Sequence, residues 1–232
     1  MRIAFVIMAR TPGLKQARNR LSRTTNREFA TDFYNHSLNA TRDLVLEVTK
    51  NNPDIELVWA VEEKEGLASD YWKGHRTTYQ GDGGLGDRLD KVYKSLLKDF
   101  DAVFLMQPNS AQLPAEIFEY DTLNFLTSDY DFLLGKTDKG DFYLFGGSSK
   151  VPLSAWIDVS YYCESTFSEL NSSIGRFGKV LEITESYGVL EKKDLDSFKE
   201  ISTEGMLESQ EKLHELVMQT KFKDRFADLV RL

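Results

Sequence analysis

The sequence predicts an α/β domain with a mixed, mostly parallel central sheet. Strand-like segments alternate with segments whose apolar residues recur at helical spacing, and the first strand, residues 2–9, is almost continuously apolar. Apolar runs of this kind are typical of parallel strands that are buried on both faces. The chain of 232 residues is long enough to bury the core of one such domain.

After the opening strand, the first half of the chain alternates helices and strands. Thr25 and Glu28 have the spacing of a capping box and predict the start of a long helix. This helix is expected to end near Pro53, because proline disfavours helix at the residue before it. The elements that follow are predicted as strand 55–61, helix 63–72, strand 75–80 and an amphipathic helix from Leu85 to Leu96.

The second half opens with an apolar strand, 102–106, that runs into a polar loop and a helix begun by Pro114. Proline suits the first turn of a helix, where its missing N–H costs nothing. The aromatic residues of a later strand are predicted to be core side chains; they are Phe142, Tyr143 and Phe145. The remaining elements are predicted as strands 131–135 and 141–147 about a turn at Lys139 and Gly140, helix 161–172, strand 179–183 and helical segments from residue 192 onward.

Composition excludes several classes of protein. A formal net charge of -8 argues against a general nucleic-acid binder. No apolar run approaches the roughly 20 residues that span a bilayer, so we expect a cytoplasmic protein. The single cysteine, Cys163, which we place on helix 161–172, cannot form an internal disulfide, and the three histidines lack the spacing of zinc ligands. The apolar face of the last helix packs on the domain or on a second subunit, which leaves a homodimer open.

Basic residues are concentrated at the start of this acidic chain. Residues 1–27 contain seven lysines and arginines and no acid. Four of them follow the first strand, at the sheet edge where open α/β sheets bind ligands; they are Arg10, Lys15, Arg18 and Arg20. Guanidinium groups in that place can bind phosphate through paired hydrogen bonds. A solvated basic loop would explain the same composition, and the residues alone leave both interpretations open.

Two motifs resemble those of a bacterial family. Residues 8–21 read MARTPGLKQARNRL, and residues 80–89 read QGDGGLGDRL. They are similar to the FAKxPxPGxVKTRL and QGxGDLGERM motifs of a glycosyltransferase-like family associated with radical-SAM and selenoprotein-type genes. That family is itself similar to the guanylyltransferases that make precursors of molybdenum cofactor and coenzyme F420.

The resemblance implies binding roles for residues of both motifs. Without a gap, Arg10 and Arg18 fall on the family's two lysines and Arg20 falls on its arginine, so positive charge is kept at all three positions. The second motif is a glycine-bearing turn between a strand and a helix, which suits close approach of a nucleotide. The residues of this turn that would face the base or ribose are Gln80, Gly81 and Gly83.

Weaker matches at residues 105–114, 135–146 and 187–195 keep the order of the family's motifs. The resemblance therefore implies a three-layer nucleotide-diphospho-sugar transferase fold of the GT-A type over residues 1–200. Residues 201–232 would form a helical extension.

The chain departs from the family where the family keeps aspartates. The substituted positions are Gly84, Asn109, Lys139, Gly188 and Leu190. In enzymes of this type, such carboxylates hold the Mg²⁺ or Mn²⁺ ion that bridges the phosphates. We therefore predict no metal site, although the family implies a divalent cation.

Two explanations of this loss stay open. In one, transfer survives without metal: Lys139 supplies the positive charge, Asp141 or Asp138 acts as a base, and Asn109 lies beside them at the reacting centre. In the other, the catalytic site has decayed and the protein is a ligand sensor or partner protein. Both predict binding of a nucleotide, a nucleotide sugar or another phosphorylated small molecule. Glycosyl or nucleotidyl transfer is the activity that the resemblance implies.

Overall fold

A seven-stranded sheet organises the computed structural model, which describes residues 1–14, 20–50, 52–108 and 112–220. Its strands are β1 (Ile3–Ala9), β2 (Ile55–Val61), β3 (Arg76–Tyr79), β4 (Ala102–Met106), β5 (Phe132–Thr137), β6 (Phe142–Gly147) and β7 (Val180–Ser186). The helices are α1 (Arg20–Thr24), α2 (Arg27–Lys50), α3 (Leu85–Leu96), α4 (Ala115–Thr127), α5 (Ser154–Ile157), α6 (Thr166–Ile174), α7 (Asp194–Lys199) and α8 (Glu208–Gln219).

The order and direction of the strands place the carboxyl ends of most of them at one edge of the sheet. The strands lie in the order β3-β2-β1-β4-β6-β5-β7, and every neighbouring pair is parallel except the two pairs that contain β6. The start of β6 therefore lies beside the carboxyl end of β4, with Leu144 opposite Met106. Ligands of open α/β sheets bind at this edge. The predicted α/β class with a mixed, mostly parallel sheet is confirmed.

Helices cover both faces of the sheet and make three layers. One core cluster joins the sheet to α2, α4, α7 and α8, and the other joins it to α3, α5 and α6. The three aromatic side chains predicted as core, Phe142, Tyr143 and Phe145, are at most 1% exposed. Leu213 and Val217 of α8 belong to the first cluster, so this helix packs on the domain. Within the described ranges, no helix is long and apolar enough to cross a membrane.

Three local predictions were wrong at the level of turns. Asn26 caps α2 in place of Thr25, because its side-chain Oδ1 accepts a hydrogen bond from the Phe29 N–H at 2.8 Å. Residues 63–72 form two short 3₁₀ turns, Lys64–Gly66 and Asp70–Trp72, and no continuous helix.

The third wrong prediction concerns the segment before α6. Tyr162 has a φ of 63°, in the left-handed region, which ends any right-handed helix. The helix therefore begins at Thr166 and not at Tyr161, and Cys163 lies in the preceding turn. The short helices α1 and α5 were not predicted at all.

Candidate functional site

A cleft of about 630 Å³ opens at the carboxyl ends of β1, β2 and β4. Its size lies within the range of small-molecule sites. Its polar lining consists of Arg10, Arg20, Arg23, Ser37, Glu62, Gln80, Arg88 and Gln107, and aromatic side chains at the lining include Tyr34, Tyr161 and Tyr162. Among the described residues, four arginines and a single carboxylate face this space, so the cleft favours an anion.

Three of these arginines form no salt bridge with a carboxylate of the described residues. Arg10 follows β1, and Arg20 and Arg23 lie on α1. In the described part of the chain, none of the three forms an ion pair with a carboxylate. Their charge is therefore available to a ligand, and guanidinium groups form strong charge-assisted hydrogen bonds with phosphate.

Tyr34 of α2 fixes the position of Arg10. The Tyr34 hydroxyl accepts a hydrogen bond from the Arg10 N–H at 2.7 Å and donates one to the Arg10 carbonyl oxygen at 2.9 Å. Its ring centroid lies 4.9 Å from the guanidinium carbon of Arg10. Burial raises the pKa of Tyr34 to about 12, so the hydroxyl keeps its proton at neutral pH.

Gln80 positions a fourth arginine. This side chain is buried, and its amide nitrogen donates to the carbonyl oxygens of Ala9 at 3.2 Å and Ala60 at 2.8 Å. Its oxygen accepts from Arg88 Nη1 at 3.3 Å, and the same Arg88 nitrogen lies 3.5 Å from a carboxylate oxygen of Glu62. The Gln80 amide is thus occupied by protein groups, and Arg88 presents the charge at the cleft. Arg88 was not among the predicted site residues, although it lies in the motif of residues 80–89.

The predicted glycines lie beside the cleft. Gly81 and Gly83 line a separate shallow recess with Glu62, Glu65 and Asp82. Their φ angles are 93° and 102°, which residues other than glycine rarely adopt. The geometry of the turn is therefore enough to explain why both residues are glycine. Two further predicted residues, Arg18 and Asn109, lie outside the described residues.

Asp141 is a buried carboxylate at the start of β6. It is 5% exposed, and its Oδ1 accepts a hydrogen bond from the Phe142 N–H at 2.9 Å. Burial raises the pKa of Asp141 to about 6, and the nearby Arg20 charge opposes that rise. A carboxylate with such a pKa can accept a proton near neutral pH. Asp141 is not part of the cleft lining.

Lys139 is held by two aspartates. Its ammonium lies 2.8 Å from Asp138 Oδ2 and 3.8 Å from Asp194 Oδ1. The hydrogen bond that the Lys139 ammonium donates to Asp138 raises the pKa of Lys139. Each aspartate also binds backbone N–H groups of the segment 188–191. Since Val189 and Leu190 of that segment line the cleft, Lys139 supports a wall of the cleft without lining it.

The described residues do not fit the divalent cation that the family implies. In the described ranges, no group of three or more His, Cys, Asp or Glu side chains could hold a metal ion. Asp138 and Asp194 are the two carboxylates beside the turn at Lys139, and both already share the Lys139 ammonium. We therefore derive no chemical step through a metal.

Lys139→Met is expected to lower the free energy of unfolding by about 1–2 kcal/mol, because it leaves two partly buried carboxylates without their cation. Urea denaturation at pH 7 measures this change. Lys136→Met is the matched control, since its ion pair with Glu185 is about half exposed and contributes roughly 0–0.5 kcal/mol. Equal losses in the two variants would show that Lys139 does not support the cleft wall.

Comparisons with known proteins define the fold. Neither protein-family models nor curated proteins gave a match to this sequence. Among solved structures, a candidate nucleotide-diphospho-sugar transferase from Desulfovibrio desulfuricans G20 superposes with a TM-score of 0.74 at 17% identity, covering 94% of this chain and 98% of that one. A CMP:2-keto-3-deoxy-manno-octonic acid synthetase in complex with CTP gives 0.50 at 11% identity, covering 85% and 96%.

A third solved structure, the bifunctional IspDF from Campylobacter jejuni, gives a TM-score of 0.52 at 10% identity and covers 84% of this chain and 54% of that one. These identities show the fold and no more. The chain has the nucleotide-diphospho-sugar transferase fold, which confirms that part of the resemblance seen in the sequence. The narrower family remains a prediction.

Proposed function

We propose that this protein binds a nucleotide or nucleotide sugar in the cleft and transfers a glycosyl or nucleotidyl group from it. The observation that carries the proposal is a set of arginines at the carboxyl edge of the sheet that form no ion pair with any carboxylate in the described ranges, Arg10, Arg20 and Arg23. The CMP-2-keto-3-deoxy-manno-octonic acid synthetase with the same fold was solved with CTP, a triphosphate. An anionic ligand of that class matches the charge and the volume of this cleft.

The proposed roles follow from the contacts of each residue. Arg10 and Arg20, with Arg18 as a predicted third, hold the phosphates and stabilise the charge that develops on the leaving phosphate. Gln80 acts through Arg88, and Gly81 and Gly83 stay predicted contacts of the base or ribose.

At the reacting centre, Asp141 takes the proton of the attacking hydroxyl, for which its pKa of about 6 is suited. Lys139 holds the cleft wall in place, and Asn109 stays a predicted member of this centre.

A second function is a sensor that binds the same ligand without chemistry. Two observations favour the sensor: Lys139 is engaged in ion pairs, and Asp141 is not among the residues that line the cleft. Two incubations separate the two functions: one with nucleotide sugars, followed by chromatography of released nucleoside mono- or diphosphate, and one with nucleoside triphosphates and sugar acceptors, followed by detection of released pyrophosphate. Release that Asp141→Asn abolishes supports transfer, and tight binding without release supports the sensor.

Thermal unfolding with a panel of nucleoside triphosphates and nucleotide sugars tests ligand binding itself. A ligand at 100 times its Kd stabilises the folded state by about 2.7 kcal/mol. For a domain of this size that raises the Tm by about 5–10 °C. We expect the same rise with EDTA as with Mg²⁺ or Mn²⁺. A rise that requires the metal would contradict the metal-free site, and no rise with any ligand would contradict the proposed function.

A further inference from the structure

Tyr162 has an unusual backbone conformation beside the cleft. Among the described residues it is the only one other than glycine with a positive φ. The left-handed region places Cβ too close to the backbone, and only glycine, asparagine and aspartate adopt it readily. A bulky side chain held there costs stability, and such residues concentrate at functional sites.

The contacts on either side hold Tyr162 in this conformation. Arg20 Nη2 donates a hydrogen bond to the Tyr162 carbonyl oxygen at 2.9 Å. The preceding Tyr161 hydroxyl donates to the Trp156 carbonyl oxygen at 2.8 Å, and the following Cys163 N–H donates to Thr166 Oγ1 at 3.1 Å. Both neighbours are thereby anchored, and the Tyr162 side chain lies at the cleft.

Packing within the protein covers only about half of the Tyr162 side chain. Tyr162 is 46% exposed and lines the cleft together with Arg10, Arg20 and Arg88. Within the described ranges its ring packs on no other aromatic ring, whereas the neighbouring Tyr161 ring packs near Phe142. A partly exposed aromatic side chain therefore lines the same cleft as Arg10 and Arg20.

We infer that the Tyr162 ring is the surface on which a flat ring of the ligand stacks while the arginines bind its phosphates. The inference rests on the proposed function and extends it, because it identifies a residue that distinguishes a ring-bearing phosphate from a bare polyphosphate. Aromatic rings stack on every nucleobase, and their faces also pack against the apolar face of a sugar. The ring that stacks is thus the nucleobase or the pyranose.

The test compares three substitutions by calorimetric titration. Tyr162→Asn keeps a residue that tolerates the left-handed conformation and removes the ring, Tyr162→Gly removes the strain as well, and Tyr162→Phe keeps the ring. The ligands are ATP, CTP, GTP and UTP, glucose 1-phosphate and inorganic tripolyphosphate. We expect Asn and Gly to weaken binding of a ring-bearing ligand at least about tenfold. Tripolyphosphate affinity should stay within about twofold, Phe should bind as wild type, and the Tm of Asn and Gly should not fall.

The outcomes separate this inference from the proposed function. If the Asn and Gly variants bind both the nucleotides and glucose 1-phosphate as tightly as wild type does, or lose affinity for tripolyphosphate to the same extent, the stacking role is wrong while the proposed function stands. If wild type binds neither nucleotides nor tripolyphosphate, both are wrong. A loss of affinity confined to the nucleoside triphosphates assigns the stacked ring to the nucleobase. A loss of affinity confined to glucose 1-phosphate assigns it to the pyranose. Tyr120→Asn, at an exposed position on α4, controls for removal of a surface tyrosine.

Discussion

Replacing both Arg10 and Arg20 with methionine is expected to weaken nucleotide binding at least about 100-fold. A hydrogen bond to a charged group contributes about 1.5–3 kcal/mol, so the loss of two amounts to about 3 kcal/mol or more. Each 1.4 kcal/mol corresponds to about a tenfold change in Kd. Isothermal titration at low and high salt measures the effect, and the wild-type affinity should fall as salt screens the arginines.

The double variant Arg2→Met with Arg76→Met is the matched control. It removes the same charge at the opposite edge of the sheet, where both guanidinium groups lie over the ring of Phe100. Affinity in this control should change less than about threefold, since exposed charges at a distance are screened. A comparable loss in both double variants would mean that net charge, and not the cleft, determines binding. Thermal unfolding of each variant without ligand shows whether the fold is kept.

The fold was accessible from the sequence because its strands are strongly patterned. Strands 55–61 and 102–106 were predicted with the bounds that the structure has, since a buried parallel strand shows an uninterrupted apolar run. The turn predicted at Lys139 and Gly140 connects β5 to β6, and the two strands are antiparallel neighbours. Errors fell where short segments carry weak periodicity, as in 63–72.

The candidate site was only partly accessible, for a physical reason. Arg10 and Arg20 were predicted from the basic segment after the first strand and Gln80 from the family-like motif, and all three line one cleft because strand ends of a parallel sheet converge; their binding roles stay predictions. Tyr34 and Tyr162 were missed because their roles depend on contacts between distant parts of the chain. Tyr34 lies 24 residues from Arg10, and Tyr162 lies 142 residues from Arg20. No local pattern encodes such pairs.

Asp141→Asn is expected to stabilise the protein at pH 8 and not at pH 4. Burial raises the folded-state pKa of Asp141 from 3.8 to about 6, so the folded state binds this proton more tightly than the unfolded state does. The favourable contribution of the protonated form is complete below about pH 3.8 and is lost as the pH rises through about 6. A shift of about two pKa units corresponds to about 3 kcal/mol, and asparagine avoids this cost while its oxygen still accepts from Phe142.

Urea denaturation of both proteins at pH 4, 6 and 8 gives the difference in unfolding free energy, in which contributions from other carboxylates cancel. The unfolding free energy of the variant should exceed that of wild type by about 2–3 kcal/mol at pH 8, and the two should be nearly equal at pH 4. Asp158→Asn, at an exposed aspartate, should show a small difference at all three pH values. A gain for Asp141→Asn that does not depend on pH would rule out the buried charge as its cause. The proposed role of Asp141 would account for a carboxylate at this cost in stability, since proton acceptance requires the ionised form.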